Sequence, residues 1–138
     1  MSKDFLENGL YLSALRGTHG TGLAGLRTFG ENPIDMCKSA LVSYYFLHTP
    51  VAKYITSNLE KYKYVLAHVR AATNGVISND NAHPFDVGDI VLAHNGVIKN
   101  LHDLNKPKLS YNVDSELVAK LLNLTTPEGA KSVLEELE

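Results

Sequence analysis

The 138-residue chain has a single cysteine, Cys37, so no internal disulfide is open to it and a reducing cytoplasm is the expected setting. It has no block of lysines and arginines. Its 13 basic and 15 acidic side chains leave a formal charge of -2, which offers no general attraction to nucleic acid or an anionic membrane surface. No apolar run approaches the roughly 20 residues of a membrane span. The opening MSKDFLENG lacks a charged-then-apolar leader pattern. Low-complexity tracts and internal repeats are missing too. The six histidines include no His-x-His or His-x-x-x-His pair, so no metal and no other cofactor is expected. What is present is an ordinary globular composition, 44% hydrophobic and 20% charged. Such a chain buries about two-thirds of its unfolded surface as one domain.

Helical and strand patterns alternate along it. Residues 2–15 read as a helix, with Ser2 as N-cap and Phe5, Leu6, Leu10, Leu12 and Leu15 as a broad apolar face. Residues 23–28 read as a short strand. Asn32-Pro33 has the cap-then-proline form of a helix start, and Ile34, Cys37, Leu41, Tyr44 and Tyr45 continue one stripe, with Cys37 in core packing. A further helix is expected after Thr49-Pro50 towards Lys61, and strands over residues 64–69 and 89–93. Asp114 and Thr126-Pro127 open the last two helices. This order predicts one layered α+β domain over residues 1–138.

Four polar clusters fall just beyond the expected strand ends, where sites collect. The first, Arg16-Gly17-Thr18-His19-Gly20-Thr21-Gly22, has three glycines in seven residues, which demands unusual backbone angles or the close approach of another group. It lacks the Lys-Ser/Thr or acidic partner of a nucleotide-phosphate loop. The others are residues 70–75, Asn81-Ala82-His83-Pro84 and His94-Asn95-Gly96, with Asp114 following. Each has a plain reading. Asn95-Gly96 suits a hairpin turn, Arg70 can close a strand and pair with Asp80 or Asp86, Asp114 can cap its helix, and His83 can be a loop histidine. Asn95-Gly96 also has a chemical reading, because an amide and a backbone N–H can hold a developing oxyanion.

The ordered set carries more than its members. It runs Arg16-Gly17-Thr18-His19-Gly20-Thr21-Gly22, His68-Val69-Arg70-Ala71-Ala72-Thr73-Asn74-Gly75, Asn81-Ala82-His83-Pro84, His94-Asn95-Gly96-Val97-Ile98-Lys99-Asn100 and Val113-Asp114-Ser115-Glu116-Leu117. This series resembles the class II glutamine amidotransferase domain, the glutaminase half of glucosamine-6-phosphate synthase, over residues 4–122, with 34–61 poorly matched. The resemblance implies an N-terminal-nucleophile-hydrolase fold, a layered sandwich of two sheets between helices. It also implies release of the glutamine amide as ammonia through a thioester. It implies that Arg70 grips the α-carboxylate with Thr73 nearby, that Asp114 pairs with the α-ammonium, and that Asn95 and Gly96 form the oxyanion hole. Arg16 and His83 are further substrate-binding positions. The residue chemistry agrees: a planar guanidinium suits a carboxylate, and two donors suit an oxyanion.

The same resemblance implies an N-terminal cysteine nucleophile on a strand ahead of the first helix. Here residue 2 is serine and already opens that helix, fourteen residues before Arg16. Ala71 and Asn74 stand where the family has an aromatic residue and a histidine. The family also continues with strands beyond the position of Glu138. The expectation is a trimmed domain without the first strand and the C-terminal strands. It would be catalytically degenerate and act by binding glutamine or a similar amino acid, one form being a phage protein that inhibits a host factor. Unpaired sheet edges favour a protein partner or a homo-oligomer. Two readings stand beside this: an active glutaminase using Ser2 or a nucleophile from a partner chain, and an amino-acid sensor binding through Arg70 and Asp114. A natural reading frame beginning upstream is also open.

Overall fold

The computed structural model describes residues 1–28, 33–73 and 75–137, so Asn32 and Asn74 of the motifs above lie outside the described residues. Its contacts divide into two compact units, Met1–Ala72 with Val76–Pro84, and Thr73–Gly75 with Phe85–Glu138.

The first unit is built on an antiparallel sheet of β1 (Gly20–Arg27), β2 (Ile34–Ser39) and β3 (Tyr62–Arg70), with β1 in the centre. Leu23 lies opposite Cys37 on one side and Ala67 on the other. Because side chains alternate across a strand, these three share a face. Against that face pack α1 (Lys3–Ser13), α2 (Ser43–Leu47) and α3 (Pro50–Ser57), through Leu6, Leu10, Phe46, Leu47, Ala52 and Ile55. The Ser2 hydroxyl accepts the N–H of Phe5 at 3.2 Å, the expected cap. The buried Thr21 hydroxyl donates to the Leu41 carbonyl at 2.8 Å and ties β1 to the start of α2.

Two expectations fail here. The stripe from Ile34 to Tyr45 is not one helix but β2 followed by α2. Ile34 and Cys37 fit a helical spacing, but pairing with β1 takes the segment into the sheet, where tertiary context outweighs local pattern. The apolar face of α1 is also narrower than read: Leu6 and Leu10 are buried, while Phe5, Leu12 and Leu15 are 72%, 68% and 87% exposed.

One ion pair closes the far end of the sheet. Arg27 Nε and Nη2 donate to Asp35 Oδ2 and Oδ1 at 2.7 and 2.9 Å, and the Tyr62 hydroxyl donates to Oδ2 at 2.6 Å. Burial pushes the Asp35 carboxyl up, but the Tyr62 and Arg27 hydrogen bonds outweigh it and hold the group below its ordinary value. Burial, reinforced by the Asp35 hydrogen bond, raises the Tyr62 phenol. The Tyr62 ring lies over Gly25, where a Cβ would come 2.6 Å from a ring carbon.

The second unit pairs β4 (Phe85–Val87) with β5 (Ile90–Leu92) in an antiparallel hairpin turned at Gly88, whose φ is +59°. The Asn123 side chain accepts the N–H of Asp89 at 3.1 Å and fixes that turn. Its helices are α4 (Leu101–Leu104), α5 (Asp114–Asn123) and α6 (Pro127–Glu135). The core gathers Leu117, Val118, Leu121 and Leu122 of α5 with Ile98 and Leu104. Thr126 caps α6 by accepting from the Gly129 N–H at 3.2 Å. Helices and short antiparallel strands make the chain α+β, as read. No helix among the described residues is long and apolar enough to cross a membrane.

Asp35→Asn is expected to be less stable than the parent at pH 7. The difference should shrink as pH falls below the ordinary carboxyl value of 3.8 and through the depressed one of the folded protein. A lowered carboxylate stabilises only above its unfolded pKa, and that contribution is lost on acidification. Urea titrations across a pH series measure this, and a pH-independent difference would contradict it.

Candidate functional site

In the first unit the glycine loop is held against the end of β3. A Cβ at Gly17 would come 2.5 Å from the Ala71 nitrogen and 2.6 Å from the Arg70 carbonyl carbon. The His19 N–H donates to the Arg70 carbonyl at 3.0 Å, and its Nδ1 accepts the N–H of Ala72 at 2.9 Å. An accepting Nδ1 places the neutral ring proton on Nε2. The expected close approach is therefore present, and its partner is the backbone of residues 70–72.

Arg70 is 5% exposed, and its Nη1 donates to the Val76 carbonyl at 3.2 Å. Asn81 Nδ2 donates to the same oxygen at 3.0 Å. Residues 81–84 then cross the sheet on the face opposite the helices, with all four buried. The His83 carbonyl occupies the space a Cβ at Gly22 would need, and Ala82 lies over Gly20. The His83 ring meets the His68 ring at 4.3 Å between centroids. His83 is thus a packed residue of the sheet face. Lys38 Nζ donates to the Asp80 carbonyl and Asn79 Oδ1 accepts from Ala40 N, both at 2.8 Å, so the loop is fastened to β2. Arg16 is exposed, as is Thr73.

The second unit organises its turn around one carboxylate. Asp114 is 8% exposed. Its Oδ2 accepts the N–H of Ile98 at 3.0 Å, while Oδ1 accepts from Ser115 N and Oγ at 2.8 and 3.3 Å. Ser115 Oγ is also 3.3 Å from His94 Nδ1. Val113, not Asp114, is the residue before the helix, so Asp114 serves the 94–98 segment as well as opening α5. Asn95 and Gly96 are exposed on that segment. The plain hairpin reading does not hold for them, because β5 pairs with β4 around Gly88 and Asp89.

Cys37 packs against the core from β2, and burial pushes its thiol up to about 11. No group of three or more His, Cys, Asp or Glu among the described residues is placed to hold a metal ion.

A family model of the class-II glutamine amidotransferases matches residues 36–133, a run through both units that includes Arg70, Asn95 and Asp114. The chain belongs to that family. Glutamine–fructose-6-phosphate aminotransferase (isomerizing) of Francisella tularensis is 33% identical over 132 residues, covering 86% of this chain and 19% of the relative. The enzyme of the same name from Agrobacterium fabrum is 39% identical over 70 residues, covering 46% of this chain and 12% of the relative. The chain thus spans less than a fifth of the length of these relatives.

Two members of this amidotransferase domain's polar framework carry connections the motifs did not announce. His19 fastens the glycine loop to residue 72, and Ser115 joins Asp114 to His94. The signal for each was its position, a histidine inside a glycine loop and a hydroxyl beside an acid at a helix start.

Asp114→Ala strands the buried N–H of Ile98, a loss worth about 1–3 kcal/mol. Calorimetry is expected to show a Tm several degrees lower, whereas Arg16→Ala at an exposed position should stay within about 0.5 kcal/mol of the parent.

Proposed function

We propose that the chain is a glutamine-binding amidotransferase domain that recognises the amino acid without supplying its own nucleophile, and that residues 1–138 act as one such domain. One observation carries the second half of this reading: the Ser2 hydroxyl and the one thiol of the chain are both engaged in structure. The Ser2 hydroxyl caps α1, and the Cys37 thiol is held protonated in the core face of β2. A nucleophile of either kind needs an activating base or a lowered pKa, and Cys37 has the opposite shift.

Recognition is assigned residue by residue. The buried guanidinium of Arg70, fixed by the Val76 carbonyl, suits the α-carboxylate. Asp114 has three donors on a carboxylate that offers about four acceptor positions, which leaves one for the α-ammonium. Asn95 and Gly96 present exposed donors suited to the amide oxygen. Thr73, His83 and Arg16 complete the proposed substrate-binding set.

Calorimetric titration with glutamine is expected to give saturable binding that Arg70→Ala weakens at least tenfold, since a charge-assisted hydrogen bond contributes about 1.5–3 kcal/mol. Ammonia release from glutamine should stay at the blank rate for the parent and for Ser2→Ala. Release that Ser2→Ala abolishes would overturn the binding-only reading, and no glutamine binding at all would overturn recognition as well. Among the described residues β2 and β3 each pair on one side only, which supports a second copy or a protein partner at a sheet edge. Light scattering that gives a monomer mass at all concentrations would exclude the second copy.

A further inference from the structure

We propose that the connection between α4 and α5 is a binding site for a small phosphate monoester. Residues 99–111 hold three lysines and one aspartate in a chain whose net charge is -2, so positive charge is concentrated against the overall balance. The connection encloses an open cavity of about 580 Å³, lined by His102, Asp103, Lys106, Lys108, Leu109 and Tyr111. That volume lies in the range of small-molecule sites, roughly 300–1,000 Å³.

The loop that carries the lysines is locked by its own hydrogen bonds. Asn105 Oδ1 accepts the N–H of Leu109 at 2.7 Å, and Asn105 Nδ2 donates to the Leu109 carbonyl at 2.8 Å. The Lys108 N–H donates to the Asn105 carbonyl at 3.0 Å. Lys108 is the only non-glycine residue with positive φ, +57°, among the described residues. L side chains rarely adopt that conformation, and Lys108 lines the same cavity as Lys106. Lys120, by contrast, is spent on structure: its ammonium donates to the Ser110 carbonyl and to Glu116 at 2.7 and 2.6 Å. Lys106 and Lys108 form no ion pair among the described residues. The one carboxylate on the rim, Asp103, lies 3.4 Å from His102.

The chemistry of the donors selects the ligand. Two ammonium groups are compact point charges without the planar fork of arginine, which suits a multiply charged tetrahedral anion better than a flat carboxylate. Leu109 and Tyr111 line the same cavity and can offer apolar surface to an organic group. The cavity has room for a small organic group beside the phosphate.

The test is an NMR titration of the full chain with glycerol 3-phosphate, inorganic phosphate and glycerol at constant ionic strength set by sodium chloride. Glycerol 3-phosphate is expected to shift the amide signals of residues 102–111 saturably, inorganic phosphate to do so more weakly, and glycerol to leave them unmoved. Lys106→Gln with Lys108→Asn, which keeps a residue tolerant of positive φ at 108, should weaken binding at least about tenfold without changing Tm. Glutamine binding should be unaffected, so failure here is separable from failure of the glutamine reading. Absence of saturable shifts, or equal binding by the double variant, would overturn the proposal. So would a response that chloride reproduces.

Discussion

The arrangement of the first unit rests on two close approaches that no side-chain carbon permits. At Gly17 the loop backbone lies against Arg70 and Ala71, and at Gly22 the His83 carbonyl lies directly on β1. Polar contacts on that side of the sheet form beside these approaches. Residues 81–84 can cross β1 only because it is bare there, and that crossing brings Asn81 to the Val76 carbonyl that Arg70 also engages. The hydrogen bonds are secondary to the sterics: they choose a geometry that the missing Cβ atoms make accessible.

The second unit solves a similar problem by other means. Its strands among the described residues are a hairpin of three-residue strands, packed with α5. Its polar segment is suspended from a single buried carboxylate, which reaches back to Ile98 and forward to Ser115. A buried ion satisfied by backbone N–H groups is stable only while its donors stay in place, since desolvation of the charge is the opposing cost. The first unit is therefore shaped by excluded volume and the second by charge.

What the sequence revealed divides along the same line. Local chemistry was legible: Ser2 and Thr126 cap the helices they were expected to cap, Asp114 opens α5, and residues 64–69 lie within β3. The glycine density correctly announced a close approach, though not its partner, because the partner is fifty residues away in the chain. β2 was not legible because Ile34 and Cys37 stand three apart, a helical spacing that puts them on opposite faces of a strand, and only pairing with β1 overrides it. β4, at three residues, is too short to show a period. Burial along α1 was overestimated because a sequence shows which residues are apolar, not how much of the helix another surface covers.

The lone sulfur bears on the chemistry of the surroundings. Held neutral in the lee of the helices, Cys37 presents little thiolate to oxidants at any biological pH, since the anion is the reactive form. With no second cysteine in the sequence, the described fold owes nothing to a disulfide within the chain. The sulfur's part in this fold is that of a small apolar group, filling space between β2 and the helices.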